Sequence, residues 1–128
     1  MRHVIALDVG GTGMKAALVG TDGTLLHEAR RATGRERGAD AVVETILAFA
    51  ADLRAHGEEH LGESAVAAGV AVPGIVDAEK GIAVYAANLG WRDVPLRALL
   101  TERLGVPVAL GHDVRTGGLA EGRIGAGR

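Results

Sequence analysis

Apolar and polar residues alternate with two different periods along this chain of 128 residues. Residues 3–9 form a short apolar run closed by two glycines, which is typical of a buried strand. Residues 14–19 and the more polar residues 25–31 predict two further strands. An Asp-Gly pair at 22–23 separates them and is a strong hairpin signal. The first part of the chain is therefore predicted to be a three-stranded antiparallel meander.

The apolar spacing changes to three and four residues after the meander. Residues 39–56 predict an amphipathic helix on this basis, and Gly57 suits its end. Asp93 and Pro95 are expected to open a second, Leu-rich helix, because both residue types favour helix starts. Further predicted elements are a buried strand at 65–72, a small hairpin around 79–81, a strand at 106–110 and a helix with several glycines at 114–124. The order of three strands, helix, strand, helix, strand and helix predicts an α/β domain.

Composition narrows the class of protein. Lys and Arg number 14 and Asp and Glu number 16, a formal net charge of −2 that argues against a nucleic-acid-binding domain. Cysteine is absent, which excludes disulfides and cysteine-ligated metal sites in this chain. No apolar run approaches the roughly 18 residues that a membrane-spanning helix needs, and the first residues do not resemble a signal peptide. A cytoplasmic protein with no membrane partner is expected.

The segment Asp8-Val9-Gly10-Gly11-Thr12-Gly13-Met14-Lys15 carries the most specific chemistry. Glycines let backbone N–H groups approach an anion, Thr12 adds a hydroxyl donor, and Asp8 can hold Mg²⁺ directly or through water. Three interpretations stay open: an ordinary hairpin turn, a dinucleotide fingerprint of the G-x-G-x-x-A type, and a hairpin whose turn binds nucleotide phosphates. The fingerprint is disfavoured because too few residues follow the glycines for the helix that it requires.

The pattern Asp8-x-Gly10-Gly11-Thr12-x-x-Lys15 at the start of a meander resembles the first phosphate motif of the ROK family (repressor, open reading frame, kinase). The resemblance implies a ribonuclease-H-like domain of the actin-like ATPase type, with the order of strands and helices predicted above. It also implies ATP as the cofactor, with Gly10, Gly11, Thr12 and Lys15 at its phosphates and Mg²⁺ at Asp8.

Two later segments resemble sugar-binding motifs of the same family. Residues 70–77, which contain Pro73-Gly74-Ile75-Val76-Asp77, are similar to its Pro-Gly-x-Val-Asp segment, which implies that Gly74 lies beside the sugar. Asn88-Leu89-Gly90-Trp91 resembles its Asn-x-Gly-Trp segment, which implies that Asn88 binds sugar hydroxyls. Structural alternatives stay open, with Gly74 as a strand terminator and Asn88 as a residue that only fixes its loop. Trp91 is expected to pack in the core or at the edge of the lobe.

Gly111-His112-Asp113 comes directly after the strand predicted at 106–110. Ligand sites of open α/β sheets gather at the carboxyl ends of strands, so Asp113 is a candidate general base for a sugar hydroxyl. Its alternative role is the N-cap of the last helix. The family has Asn-Asp at this place, and His112 therefore replaces a sugar-binding Asn. A neutral imidazole offers fewer hydrogen-bonding groups than an amide, which leaves the identity of the sugar open.

The resemblance implies that residues 1–128 are the N-terminal nucleotide- and sugar-binding lobe of a ROK-type kinase. The expected function is transfer of the ATP γ-phosphate to a hexose, glucose in the first place, by a homo-oligomeric enzyme that binds no nucleic acid. The C-terminal lobe, with the family's cysteine-rich Zn²⁺ segment, is absent from this chain. The isolated chain is expected to be inactive, because phosphoryl transfer needs charge stabilisation from both sides.

The alternative function is the sugar-sensing domain of a ROK transcriptional repressor. Such a repressor carries a DNA-binding helix-turn-helix ahead of the first strand, and Met1 lies only seven residues before Asp8. Another actin-like ATPase is disfavoured, because both sugar-binding segments would then be coincidental.

Other charged and histidine residues are expected to be structural or solvated. His3, His27, His56 and His60 are expected at the surface, and a metal pair at the last two is disfavoured because Gly57 interrupts their helix. The Arg-rich residues 30–37 are expected to form a solvated loop.

Overall fold

Eight strands and two α-helices lie within residues 2–112, the part of the chain that the structure, a computed structural model, describes. The elements are β1 (His3–Val9), β2 (Gly13–Gly20), β3 (Leu25–Ala32), α1 (Ala39–Leu61), β4 (Ala68–Val72), β5 (Ile75–Asp77), β6 (Ile82–Ala86), β7 (Trp91–Val94), α2 (Leu96–Leu104) and β8 (Val108–His112). A 3-10 turn at Arg35–Arg37 leads into α1. Asp113 and the helix expected at 114–124 lie outside the described residues.

A five-stranded sheet in the order β3-β2-β1-β4-β8 forms the body of the domain. β1 pairs antiparallel with β2 and parallel with β4, which in turn pairs parallel with β8. Along β1, the buried residues Ile5, Leu7 and Val9 alternate with half-buried ones, as a sheet with one covered face requires. An apolar stripe of α1 covers that face, and α2 packs beside α1. The predicted order of strands and helices is therefore confirmed from β1 to β8, except for β7, which the sequence did not predict.

A second sheet of three short strands, in the order β5-β6-β7, follows β4. It contains the hairpin that the sequence predicts around residues 79–81, with β5 and β6 antiparallel. Asp77 shapes the turn: its Oδ1 accepts a hydrogen bond from the Lys80 backbone N–H at 3.0 Å, and its carbonyl accepts one from Gly81 at 2.8 Å. Trp91 in β7 is only 1% exposed, which confirms the expected packing role.

Several element boundaries differ from the sequence predictions. β4 begins at residue 68 rather than 65, and β8 begins at residue 108 rather than 106 and continues to His112. Asp93 does not open α2, because it belongs to β7 and has a φ of +53°. Pairing between β6 and β7 continues to Val94, and the helix begins only after Pro95.

Gly57 does not end α1, which continues to Leu61 and stops at Gly62 in the left-handed conformation. The prediction was wrong because Gly57 has a packing role. A Cβ at Gly57 would lie 2.6 Å from Nε2 of His3, so the missing side chain makes room for that imidazole. His3 is fully buried against the helix rather than at the surface. Packing of this ring offsets the cost of about 1 kcal/mol for a glycine within a helix.

The Arg-rich residues 30–37 are not the solvated loop that their composition predicts, because the first three belong to β3. The Arg31 guanidinium lies 4.5 Å from the centre of the Phe49 ring and donates to Asp52 Oδ2 at 2.7 Å. Both partners belong to α1, and Met14, which Arg31 faces in the register, is also buried on the helix-covered side. Arg31 thus joins the edge strand to the helix.

His27, His56 and His60 form a group of rings between β3 and α1, and all three are partly exposed as predicted. The ring centres of His27 and His56 are 3.7 Å apart, and those of His56 and His60 are 4.2 Å apart. Within residues 2–112, no group of three or more His, Asp or Glu side chains has an arrangement suited to a metal ion. In the same range, no helix is both long and apolar enough to cross a membrane.

Candidate functional site

The predicted phosphate and sugar motifs lie at one edge of the main sheet. β1, β4 and β8 are parallel, so their carboxyl ends share this edge, and β3 ends there too because β2 is antiparallel to both its neighbours. The glycine turn, residues 10–12, follows β1, while Gly74 comes just after β4 and His112 is the last residue of β8. Such an edge is where open α/β sheets bind ligands.

The glycine turn is held tightly by its own backbone. The Gly10 N–H donates to the Gly13 carbonyl oxygen at 2.9 Å. A Cβ on Gly10 would stand 2.6 Å from that same oxygen, so only glycine fits there. Thr12 is exposed at the tip of the turn, where its hydroxyl is accessible. The bare backbone leaves space for an anion to approach the N–H groups.

Thr33 fixes the glycine turn from the adjacent strand, and sequence reasoning missed it. It follows β3 directly and is fully buried. Its hydroxyl donates to the Gly10 carbonyl oxygen at 2.8 Å, and its backbone N–H donates to the Thr12 carbonyl oxygen at 3.0 Å. One residue therefore holds both ends of the turn. The available signal was a threonine shortly after the third predicted strand, at the edge of the sheet where ligand sites gather.

Replacing Thr33 by Val is expected to lower the free energy of unfolding by about 0.5–1.5 kcal/mol, the usual net contribution of one hydrogen bond. Val keeps the size of the side chain and removes only the donor to the Gly10 carbonyl. Urea denaturation measures the difference, and Thr33→Ser, which keeps the hydroxyl, is the matched control. A Val variant as stable as the wild type would show that the hydroxyl does not hold the turn, and the Ser variant gives the separate cost of the buried methyl group.

Asp8 and Lys15 face each other across β1 and β2 beside this turn. Directly opposite residues of antiparallel strands project to the same face of a sheet. Asp8 is half-buried and Lys15 is exposed. A carboxylate provides the oxygen ligand that Mg²⁺ prefers, and an ammonium provides charge for a phosphate. These two side chains with the turn backbone therefore form a donor set that fits Mg²⁺ and a phosphorylated ligand.

The loop that carries Asn88 reaches the glycine turn. It is closed by two hydrogen bonds to the Ala86 carbonyl oxygen, from the Leu89 N–H at 3.1 Å and the Gly90 N–H at 2.9 Å. A Cβ on Gly11 would lie 2.8 Å from Nδ2 of Asn88, which shows how near the amide is to the turn. The predicted phosphate and sugar residues thus meet directly at this point.

Gly74 packs against the start of the same loop. Its φ is +85°, and a Cβ there would overlap the Tyr85 carbonyl oxygen and lie 3.0 Å from Cα of Ala86. The backbone after β4 therefore lies against β6 at the residue from which the Asn88 loop departs. Gly74 lies against Ala86, where the loop begins, and Asn88 of that loop lies against Gly11, so one loop connects the three motifs.

Most of the site residues that the sequence predicts come together at this edge. Those whose position the structure describes there are Asp8, Gly10, Gly11, Thr12, Lys15, Gly74 and Asn88. The backbone of His112 pairs with Val72 at the end of β4, which brings the end of β8 to the same edge. Asp113, the predicted base, lies outside the described residues.

Comparison with known proteins identifies relatives of two kinds. The glucokinase of Halalkalibacterium halodurans is 32% identical over 126 residues, which cover 98% of this chain and 38% of that protein. The xylose repressor of Bacillus subtilis is 26% identical over 129 residues, which cover 98% of this chain and 32% of that protein. The chain therefore spans well under half the length of either relative.

A solved structure agrees with the fold. The ROK family glucokinase from Streptomyces griseus, in complex with glucose and AMPPNP, superposes with a TM-score of 0.76 at 31% identity. The match covers 98% of this chain and 38% of that one. The expected ribonuclease-H-like fold of the actin-like ATPase type is thereby confirmed. The ROK family model itself matches residues 4–128, and the chain belongs to the ROK family.

Proposed function

We propose that residues 1–128 are the N-terminal lobe of an ATP-dependent hexose kinase of the glucokinase type. The Streptomyces griseus relative binds glucose and an ATP analogue, which supports a hexose and a nucleotide as the ligands of this site. Because the chain spans only 38% of its glucokinase relatives, the activity belongs to the complete protein, and this lobe alone is inactive. The proposal includes a cytoplasmic, homo-oligomeric enzyme.

The glycine turn and its neighbours hold the donor in this proposal. Gly10, whose own N–H closes the turn on the Gly13 carbonyl oxygen, and Gly11 leave the backbone bare where the phosphates approach, and the Gly11 N–H points to them. Thr12 and Lys15 add a hydroxyl and a positive charge. Asp8 positions Mg²⁺, which offsets the negative charge of the phosphates when it is bound. Thr33 keeps the turn in shape without touching the ligand.

The acceptor lies on the other side of the same surface. Gly74, Asn88 and His112 line the sugar, and Asp113 serves as the general base. The sugar hydroxyl oxygen forms a bond to the γ-phosphorus while the bond from that phosphorus to ADP breaks. Asp113 accepts the hydroxyl proton, so the attacking oxygen does not carry a positive charge.

The observation that carries the proposal is the contact between Asn88 and the glycine turn. A Cβ built on Gly11 would lie only 2.8 Å from Asn88 Nδ2. In this proposal, an amide that binds a sugar hydroxyl is therefore next to a backbone that binds a phosphate. Phosphoryl transfer requires both substrates at one point, with the reacting atoms about 3–3.5 Å apart. An ordinary hairpin turn has no need of such a neighbour.

A coupled assay of ADP release by the complete protein tests this function. Glucose, mannose, fructose and N-acetylglucosamine are each supplied with ATP and Mg²⁺, and reactions without sugar serve as the control. We expect sugar-dependent ADP release, with glucose among the accepted sugars. If no sugar raises ADP release above the control, the kinase proposal is wrong.

A sugar-sensing repressor is the second candidate, and the Bacillus subtilis relative favours it. A sensor must bind a sugar but does not need a metal-binding Asp8, a phosphate-binding Lys15 and a base at Asp113 together. All three are present in this sequence, which supports the kinase. Sugar-dependent binding of the complete protein to operator DNA, without sugar-dependent ADP release, would establish the repressor instead.

Gly11→Ala is expected to raise the KM for the sugar about tenfold, because the added methyl group displaces the Asn88 amide. Tenfold corresponds to about 1.4 kcal/mol, the size of one hydrogen bond. Asn88→Ala should have a similar effect, and the double variant should be no worse than either single one. The sugar KM values of the wild type, the two single variants and the double variant form a double-mutant cycle. A sugar KM about a hundredfold higher in the double variant, the product of the two single effects, would contradict an action of Gly11→Ala through Asn88.

A further inference from the structure

Three charged side chains form a row across the first three strands, beside the glycine turn. Asp8 pairs with Lys15 in the β1–β2 register, and Lys15 pairs with Arg30 in the β2–β3 register. Paired residues of antiparallel strands project to one face, so all three lie on the same side of the sheet. With strands about 4.8 Å apart, the row extends about 10 Å from Asp8 to the edge strand.

Two cations of this row, Lys15 and Arg30, face each other, and Lys15 has Asp8 opposite it on its other side. Lys15 and Arg30 are both exposed, and within residues 2–112 neither has a carboxylate oxygen within 4 Å of its charged group. Glu28, on the same face of β3, pairs with Ala17 one step further from the turn. Like charges on directly opposite residues destabilise a sheet. An anion placed between the two side chains would relieve this repulsion.

Arg31 shows that adjacent cations of β3 have different roles. It projects to the helix-covered face, where Asp52 and the ring of Phe49 hold its guanidinium. Its charge is therefore compensated by α1. Arg30 projects to the opposite face and has no such partner among the described residues, so its charge is available to a ligand.

An open groove joins these cations to the glycine turn. It has a volume of about 440 Å³ and is lined by Thr12, Gly13, Met14, Lys15, Arg30, Arg31 and Ala32. The groove therefore begins at the tip of the proposed phosphate turn and continues outward to the edge strand. Its lining takes Lys15 and Arg30 from one face of the sheet and Met14 and Arg31 from the other, so a ligand in the groove lies at this end of the β2–β3 hairpin within reach of Lys15 and Arg30.

We propose that Arg30 is a specificity-determining residue that, together with Lys15, binds a linear chain of phosphates extending from the glycine turn. The inference rests on the proposed kinase function. Its ligand is the phosphate chain of the donor, which either a nucleoside triphosphate or an inorganic polyphosphate can supply. The planar guanidinium binds phosphate oxygens through paired N–H groups, which an ammonium cannot do.

Calorimetric titration of the complete protein with ATP, and separately with inorganic tripolyphosphate, tests the role of Arg30. Arg30→Ala is expected to weaken binding of at least one of these ligands about five- to tenfold and to make it less sensitive to salt. Arg30→Lys should show a smaller loss, because it keeps the charge but not the paired donors. Arg35→Ala, at an exposed arginine of the 3-10 turn that does not line the groove, is the matched control.

The two ligands identify the source of the phosphate chain. A loss confined to tripolyphosphate supports an inorganic donor, and a loss for ATP supports the nucleotide. Equal affinities of the Arg30→Ala and Arg35→Ala variants for both ligands would overturn the proposal. Kinetic assays add a second readout, because we expect a higher donor KM with little change in kcat or in the sugar KM.

Failure of this inference is distinguishable from failure of the kinase proposal. If the wild-type protein phosphorylates a sugar while Arg30→Ala and Arg35→Ala bind both ligands equally well, the kinase proposal stands and the role of Arg30 is wrong. If the wild-type protein binds tripolyphosphate through Arg30 but phosphorylates no sugar, the phosphate site stands and the kinase proposal is wrong.

Discussion

The Asp113→Asn variant of the complete protein is expected to phosphorylate hexose with a kcat about 10²- to 10⁴-fold below that of the wild type. Asn keeps the size of the side chain but does not accept the proton of the sugar hydroxyl. Asp113 is the next residue in the sequence after His112, and His112 ends β8 at the edge of the sheet that carries the glycine turn. The sugar KM should change little, because the loss belongs to the transition state and not to sugar binding.

The coupled ADP-release assay under saturating glucose and ATP measures this loss. Glu102→Gln, which removes one negative charge from an exposed position of α2, is the matched control and should keep the wild-type kcat. A kcat of Asp113→Asn close to that of the wild type would remove Asp113 from the role of base. The residue would then be left with the alternative role of helix N-cap.

Gly74→Ala is expected to lower the free energy of unfolding by about 3 kcal/mol. A left-handed conformation costs an alanine about 1–2 kcal/mol, and overpacking adds about 1–3 kcal/mol. The overlap is severe because the Cβ meets the Tyr85 carbonyl oxygen and Cα of Ala86, both backbone atoms that do not rotate away. In this variant β6 must move away from residue 74, and the Asn88 loop, which follows β6, is expected to shift with it.

Gly62→Ala is the matched control for this variant. Gly62 has a φ of +81°, close to the +85° of Gly74, but nothing lies within 4 Å of its Cβ position. Gly62→Ala should therefore lower the free energy of unfolding only by the cost of the left-handed conformation, about 1–2 kcal/mol. Urea denaturation of both variants and the wild type gives the comparison. If Gly74→Ala and Gly62→Ala lower the free energy of unfolding equally, the overlap of the added Cβ with β6 does not contribute to the cost.

Local patterns predicted the main sheet well and the small sheet only in part. The limits of β1 agree with its apolar run, because two glycines end it and alternation continues along β2. β7 has four residues, too few for a period to be recognised. Gly57 predicts a helix end because glycine is a local signal for one, yet α1 continues past it. Its actual role depends on His3, a contact with the first strand that no helix pattern contains.

The residues of the site were easier to predict than their arrangement. Each motif carries its own chemistry in a short segment, so Asp8, Gly74 and Asn88 could be selected one by one. The contact of Asn88 with Gly11 depends on how the loop after β6 lies over the turn after β1, which spacing does not encode. Thr33 was missed for a related reason, because its hydrogen bonds link β3 to a turn more than 20 residues earlier.

The stacked histidines between β3 and α1 make this part of the fold sensitive to acid. Partial desolvation holds the pKa of His56 below its ordinary value of 6.5, and the charges of His27 and His60 lower it further, while Glu59 opposes them. The unfolded chain therefore takes up protons more readily at His56. Its contribution to stability is present above pH 6.5 and is lost as the pH falls towards the folded-state pKa. Acidification is therefore expected to weaken the contact between β3, which carries His27, and α1, which carries His56.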